Sequence, residues 1–143
     1  MRIAPRQTIL LTFLAALLFA GNSCSLTKGK GIAERAVVQF HNQLNGGQYH
    51  EIYVQSDEGF RKASSEEDTQ ALLEAVRRKL GTVKQANQSG WHVNATPTGT
   101  MVSLVYEVEF SEGKGTEDFV FHISGDKALL YNYHVNSPLF ITK

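Results

Sequence analysis

Apolar and polar residues alternate along three stretches in the last third of the chain, between Thr100 and Asn136. Because successive side chains of a β-strand point to opposite faces of a sheet, this period of two predicts three half-buried antiparallel strands. Gly113-Lys114-Gly115 and Gly125 suit the tight turns between them. The apolar faces of these strands are Val102, Leu104, Tyr106, Val108 and Phe110; Phe119, Phe121 and Ile123; and Leu129, Tyr131, Tyr133 and Val135.

The strand register follows from bringing these apolar faces together. A loop at 112–115 closes the first hairpin and predicts Val108 opposite Phe119 and Leu104 opposite Ile123. A loop at 125–127 closes the second hairpin. The pairs predicted there are Ile123 with Leu129, Phe121 with Tyr131, and Phe119 with Tyr133.

The chain before the sheet has helical spacing. Apolar residues recur on one face of Ile32–Asn45, and Gly46-Gly47 ends that predicted helix. A short second helix follows at 48–54. A third helix begins with Ser64 or Ser65 as its cap and ends at Gly81. The apolar residues predicted to face inward from this third helix are Leu72, Leu73, Val76 and Leu80. Residues 82–95, which follow it, are predicted to form one long interrupted strand or a loose hairpin.

The N-terminal segment is typical of a secretory signal peptide over residues 1–23. Arg2 and Arg6 precede the apolar run 9–20, which is followed by small polar residues. Cys24, the single cysteine, follows directly and resembles the lipid-modified cysteine of bacterial lipoproteins, although Gly21 and Ser23 also suit ordinary cleavage. We predict a flexible tether over residues 24–31 and one α+β domain over residues 32–143.

The charge of the chain limits its partners. Fourteen basic and fourteen acidic residues leave it formally neutral. No cluster of lysines and arginines is interleaved with aromatic residues, so we expect no nucleic-acid partner. Contact with a membrane is expected only through an N-terminal lipid on Cys24, which would place the protein in the periplasm or at the outer membrane if its source is bacterial.

The order of elements resembles known folds. Three helices followed by a curved antiparallel meander resemble the cystatin-like α+β fold shared with nuclear transport factor 2 and ketosteroid isomerase. More narrowly, the chain resembles exported bacterial proteins of the domain of unknown function 4019 family. The residues that carry this resemblance are Phe40 with Leu44-Asn45-Gly46-Gly47-Gln48-Tyr49, then Lys79-Leu80-Gly81, Pro97-Thr98-Gly99, Glu117-Asp118-Phe119 and Leu130-Tyr131-Asn132-Tyr133. This family implies no activity.

A pocket between helices and sheet is the first candidate site, open to a small apolar ligand. An isomerase-like or hydratase-like enzyme would need a carboxylate inside that pocket as its general base. On the inward strand faces only Glu117, at an edge, is placed to point in, and we predict no catalytic residues and no cofactor. The candidate pocket residues are Tyr49, Tyr53, Trp91, Tyr106, Phe121, Tyr131 and Tyr133.

The outer face of the sheet is the second candidate site. Met101, Val105, Val120 and Leu130 are predicted to form an apolar patch there, and such patches usually mark interfaces. The predicted register also places Asp118 across from His134 and near Glu109. These are ligand types that suit zinc, but we favour an ordinary Asp–His pair and predict no metal. The whole pattern predicts an exported, non-catalytic binding or assembly module, with itself or another envelope protein as partner.

Overall fold

The structure, a computed structural model, describes the chain from Gly21 to Thr142, with side chains from Thr27 onward. Helices pack on one face of a four-stranded antiparallel sheet, which confirms the predicted α+β class. The helices are α1 (Gly21–Asn45), α2 (Tyr49–Val54), α3 (Glu58–Ala63), α4 (Glu66–Leu80) and α5 (Leu139–Thr142). The strands are β1 (Val83–Thr96), β2 (Gly99–Phe110), β3 (Gly113–Ser124) and β4 (Lys127–Asn136).

The sheet is a meander in the order β1-β2-β3-β4. Its last three strands are the three predicted from alternation. β1 is the long interrupted strand, and the register shift between Gln88 and Gly90 is its interruption. The inward residues of β2, from Val102 to Phe110, are all buried, so the predicted inner face is confirmed.

The predicted register of the first hairpin is wrong by four residues. Leu104, and not Val108, lies opposite Phe119, because a two-residue turn at Ser111-Glu112 closes the hairpin. Gly113 and Gly115 lie inside β3, where they permit close packing rather than a turn. A Cβ on Gly113 would lie 2.6 Å from Leu139, and one on Gly115 would lie 2.7 Å from the Asn136 carbonyl. Because four is even, the inward face of β2 is unchanged.

The second hairpin follows the prediction only at its open end. Phe119 pairs with Tyr133 as predicted, but a register shift between Val120 and Phe121 then places Phe121 opposite Leu130. The predicted pairs of Phe121 with Tyr131 and of Ile123 with Leu129 are therefore wrong. A bulge exchanges the two faces of a strand locally. Leu130 is consequently buried in the core, whereas Tyr131 is 47% exposed.

Helix α1 is longer than predicted. It runs continuously from Gly21, so the predicted tether at residues 24–31 is helical instead of flexible. This part of the helix lies against the sheet: a Cβ on Gly29 would make ordinary van der Waals contact, at 3.7–3.9 Å, with Ile123, Val102 and Thr100. Most of the predicted signal peptide, residues 1–20, lies outside the described part. Between Gly21 and Thr142, no helix combines the length and apolarity needed to cross a bilayer.

Ser65 caps helix α4, because its hydroxyl accepts from the Asp68 backbone N–H at 3.1 Å. This settles the choice between Ser64 and Ser65 as its cap. Its buried stripe contains Thr69 in place of the predicted Leu72, which is exposed. Gly81 ends the helix with φ +82°, as expected for its position.

We expect Gly81→Ala to lower the free energy of unfolding by about 2–4 kcal/mol. The left-handed backbone disfavours any side chain, and the new Cβ would lie 1.9 Å from the Ser111 Oγ. Gly47→Ala is the matched control, because Gly47 has φ +68° and a Cβ added there would meet no heavy atom within 4 Å. Urea unfolding should show the control losing only about 1 kcal/mol, the backbone cost alone. Equal losses would contradict a steric role for Ser111.

Candidate functional site

A carboxylate lies at the centre of the core. Glu117 on β3 points inward between Tyr106 of β2 and Val135 of β4, and its exposure is 0%. The hydroxyl of Tyr133 donates to its Oε1 at 2.7 Å, and the Nε2 of His41 on α1 lies 2.6 Å from its Oε2. These three residues form a buried triad that connects α1 to two strands.

The surroundings of the triad are aromatic. Phe40 and Phe119 meet the His41 ring at steep angles, with centroids 6.1 and 5.8 Å away. Burial raises the pKa of Tyr133 well above its usual range, and the neighbouring Glu117 carboxylate raises it further. The phenol therefore stays protonated and remains a donor to the carboxylate.

The triad lacks the properties of an enzyme's general base. Both carboxylate oxygens of Glu117 already have partners, and none of the three residues lines a cavity that the structure shows. A base must be within reach of a substrate proton. The arrangement instead satisfies every oxygen of a buried carboxylate, as folding requires. The alternation pattern predicted Glu117 at an edge, but the side chain lies in the centre of the core.

An open cleft of about 860 Å³ lies outside this core. It is bounded by residues 32–39 of α1, by the segment that joins α2 to α3, and by the β3–β4 hairpin. A smaller cavity of about 60 Å³ adjoins it, and Ala36 and Ala128 line both spaces. The smaller cavity reaches the core residues Phe40, Phe121 and Leu130. The cleft therefore changes from a charged mouth to an uncharged floor, where glutamines and Ser56 lie beside these apolar side chains.

An aspartate–histidine pair forms one wall of the cleft. Asp57 caps α3 by accepting from the Gly59 backbone N–H at 2.8 Å, and its other oxygen lies 3.0 Å from the Nδ1 of His122 on β3. The Nε2 of His122 faces the Thr98 carbonyl at 3.2 Å. Burial raises the pKa of Asp57, but the His122 and Gly59 hydrogen bonds outweigh it and leave the pKa below its usual range.

We expect Asp57→Asn to reduce stability near pH 7 by roughly 1–2 kcal/mol, since hydrogen bonds to a charged group are the stronger kind. Asparagine keeps the helix cap and loses only the charge. Because folding lowers the pKa of Asp57, its contribution is present above the unfolded-state pKa and disappears as pH falls through the folded-state pKa. Urea unfolding across this acid range should show the free energies of unfolding of the variant and the parent becoming equal as the pH falls.

Asp118→Asn is the control for this measurement, because it removes the same charge from a half-buried position on the outer side of β3. Its stability difference from the parent should stay small at every pH. A constant deficit for Asp57→Asn down to the lowest pH would contradict the charge-based explanation.

The acidic groups of the cleft are already paired. Asp126 contacts Lys28 at 2.9 Å, and Glu58 contacts Lys62 at 2.6 Å. Arg61 donates to the backbone carbonyls of Val54 and Ser56. In the part of the chain that the structure describes, two cleft cations make no hydrogen bond or ion pair. These are Arg35 and Lys127, both exposed.

The predicted pocket residues do not surround one cavity. Only Phe121 lines the small cavity, while Tyr106 and Tyr133 are buried in the core. Trp91 is 59% exposed beneath the ammonium of Lys30, because it lies on the edge strand β1. Tyr131 turns outward at the bulge. Tyr49 and Tyr53 are half-buried on α2.

The outer sheet face carries three of the four predicted patch residues. Met101, Val105 and Val120 are half-buried there, but Leu130 is not, because the bulge in β3–β4 turns it into the core. A patch at this face therefore lies on β2 and β3 alone.

The lipidation of Cys24 stays a prediction, because the side chain of Cys24 lies outside the described part of the structure.

The outer-face acid and histidine residues are only partly as predicted. Asp118 lies across from His134, but Glu109 pairs with Lys114 and lies apart from them, since the first hairpin is shifted. Among residues 27–142, no three histidine, cysteine or acidic side chains are arranged to hold a metal.

Comparison with known proteins gives one family match. The model of a family described as "Protein of unknown function (DUF4019)" matches residues 36–130. No curated protein matches the chain. A solved structure from Bdellovibrio bacteriovorus, that of Bd1075, is similar at 14% identity and a TM-score of 0.48. The alignment covers 74% of this chain and 40% of that one, so the chain spans less than half of that protein's length.

Proposed function

The chain belongs to the DUF4019 family of proteins of unknown function, and from this premise we propose that it is a non-catalytic binding module of the cell envelope. Its binding site is the open cleft between α1, the α2–α3 segment and the β3–β4 hairpin. The observation that carries this proposal is the contrast between the two candidate sites: the buried carboxylate is closed to ligands, whereas the cleft offers an open space of about 860 Å³.

The cellular location and the superfamily are part of the same proposal. The charged start, the apolar run 9–20 and Cys24 support export with a lipid anchor. Helices on one face of an antiparallel meander support membership of the cystatin-like and nuclear transport factor 2-like superfamily. An isomerase-like or hydratase-like enzyme is the rival function, and it would need Glu117 to be accessible to a substrate.

The test is native mass spectrometry of the protein purified from its natural host without added ligand. We expect an extra mass that survives gentle desolvation and is lost in Ala128→Trp, which fills the cleft. Ala71→Trp is the control, because Ala71 is exposed on α4, which does not border the cleft. An extra mass that Ala128→Trp leaves unchanged would contradict binding in the cleft.

Self-assembly through the outer sheet face is a second candidate function. Within the described residues, the start of α3 reaches one end of this face through the Asp57–His122 contact, and the central residues Met101, Ser103 and Val120 carry no charge. A two-fold contact between copies brings each such residue near its own equivalent, so an uncharged centre avoids repulsion. The occupant that we propose is therefore a second copy of this chain.

Sedimentation velocity at tens of micromolar tests this assembly. We expect a dimer for the parent protein and a monomer for Val120→Lys, which would place two like charges at the contact. A monomeric parent would contradict the proposal. Lys84→Glu, on the exposed edge strand, should leave the dimer intact.

A further inference from the structure

The charges of the cleft do not cancel locally. Three cations and three carboxylates line it, but each carboxylate has its own partner: Lys28, Lys62 or His122. Two of those partners, Lys28 and Lys62, do not line the cleft themselves. Arg35 and Lys127 are left with their donors free within the described part of the chain.

The position of Arg35 adds to this imbalance. It lies close enough to Asp126 to lower the pKa of that carboxyl, behind the larger effect of Lys28. Asp126 therefore faces two cations, and Lys127 follows it directly in the chain. A ligand that enters the cleft at the β3–β4 hairpin meets a net positive potential there.

The floor of the cleft is uncharged and has an apolar inner wall. Ala36 and Ala128 lead into the small cavity, whose inner wall is formed by Phe40, Ile52 and Phe121. Its volume of about 60 Å³ corresponds to roughly four groups of the size of a water molecule. It has room for the end of a short alkyl chain.

The rim of the small cavity carries no charge. Gln39 and Gln43 on α1 both donate to the Oε1 of Gln55, at 2.9 and 3.1 Å. This amide bridge holds α1 against the end of α2 beside the opening. Because the rim is neutral, charged recognition of a ligand is left to Arg35 and Lys127 at the mouth.

We infer that the cleft binds a small amphipathic anion, with a carboxylate or comparable head group at Arg35 and Lys127 and a short apolar tail in the small cavity. This inference rests on the proposed function, and it adds the chemical class of the ligand. Charge-assisted hydrogen bonds hold the head, and burial of apolar surface holds the tail.

The test is a chemical-shift titration of the full-length mature protein with octanoate and with octanamide, which has the same tail and no charge. We expect octanoate to bind at least about fivefold more tightly. The double variant Arg35→Gln/Lys127→Gln should lose this preference, while binding of octanamide stays unchanged. Arg78→Gln/Lys84→Gln removes the same charge at two exposed positions outside the cleft and should keep the preference.

The outcomes separate this inference from the proposed function. Equal binding of octanoate and octanamide would overturn the anionic class and leave the cleft as a binding site. No binding of octanoate to the parent would also overturn the inference, whereas the mass-spectrometric test of the cleft would stand independently. If both double variants lost the preference for octanoate equally, the net charge of the protein would explain the preference. This result would overturn the role of Arg35 and Lys127.

A further arm identifies the source of the anion. Co-sedimentation with phosphatidylglycerol vesicles that depends on Arg35 and Lys127 would assign the head group to a lipid and overturn a soluble ligand. Parent and variant remaining unbound to vesicles, together with binding of octanoate, would support the soluble anion.

Discussion

Glu117→Ala is expected to lower the free energy of unfolding by about 3–5 kcal/mol. The substitution removes the shared acceptor of the Tyr133 hydroxyl and the His41 ring, which are both buried, and leaves two polar groups without a partner. It also leaves a cavity among aromatic rings that cannot close freely. Urea unfolding at pH 7 measures the loss.

Two further variants separate the polar contribution from the cavity. Glu117→Gln keeps the shape and one acceptor oxygen, so we expect a smaller loss of about 1–3 kcal/mol. Combined with Tyr133→Phe, Glu117→Ala should be less damaging than the sum of the single losses, because both remove the same hydrogen bond. Glu107→Ala, at an exposed position of β2, should change stability by no more than about 0.5 kcal/mol. If the stability losses of Glu117→Ala and Tyr133→Phe simply added in the double variant, this result would contradict a shared hydrogen bond in the triad.

The sheet could be predicted from the sequence because its physical signal is local. Alternation along residues 102–110 fixes which side chains face the helices, and a register error of four residues leaves those faces unchanged. The error itself came from Gly113 and Gly115, which suit a turn equally well. Their real role is the close approach of Leu139 and Asn136, which become neighbours only after folding.

The bulge at Tyr131, opposite Val120 and Phe121, had no comparable local signal. It exchanged the positions of Leu130 and Tyr131, and so removed one residue each from the predicted interface and the predicted pocket. Leu and Tyr both suit a strand, so the sequence pattern allows either Leu130 or Tyr131 to face the core. The bulge lies where the Asp57 backbone N–H donates to the Leu130 carbonyl at 2.8 Å, a contact from outside the sheet.

The candidate sites were harder still to predict. Glu117 was identified as the single inward-capable carboxylate, but its partner His41 lies 76 residues away in the chain. Their pairing depends on how α1 lies across the sheet. The cleft likewise combines α1, the α2–α3 segment and the β3–β4 hairpin, so no single stretch of sequence carries its pattern.

Phe119→Ala is expected to cost about 3–5 kcal/mol of stability. Its ring is fully buried and lies 5.1–6.1 Å, centroid to centroid, from five other rings. Truncation removes these contacts together and opens a cavity beside the triad. Thermal unfolding followed by circular dichroism should show a large fall in Tm.

Trp91→Ala provides the matched control for Phe119→Ala within one row of the sheet. Trp91 lies opposite Leu104, and Leu104 lies opposite Phe119, so the two aromatic residues share a level on neighbouring strands. Trp91 is exposed and contacts Lys30 as a cation–π pair at 5.5 Å, which is worth about 0.5–1 kcal/mol. A loss of this small size at Trp91 beside a large one at Phe119 would show that burial, and not strand position, sets the cost. Similar losses at both positions would mean that a further element covers Trp91 in solution.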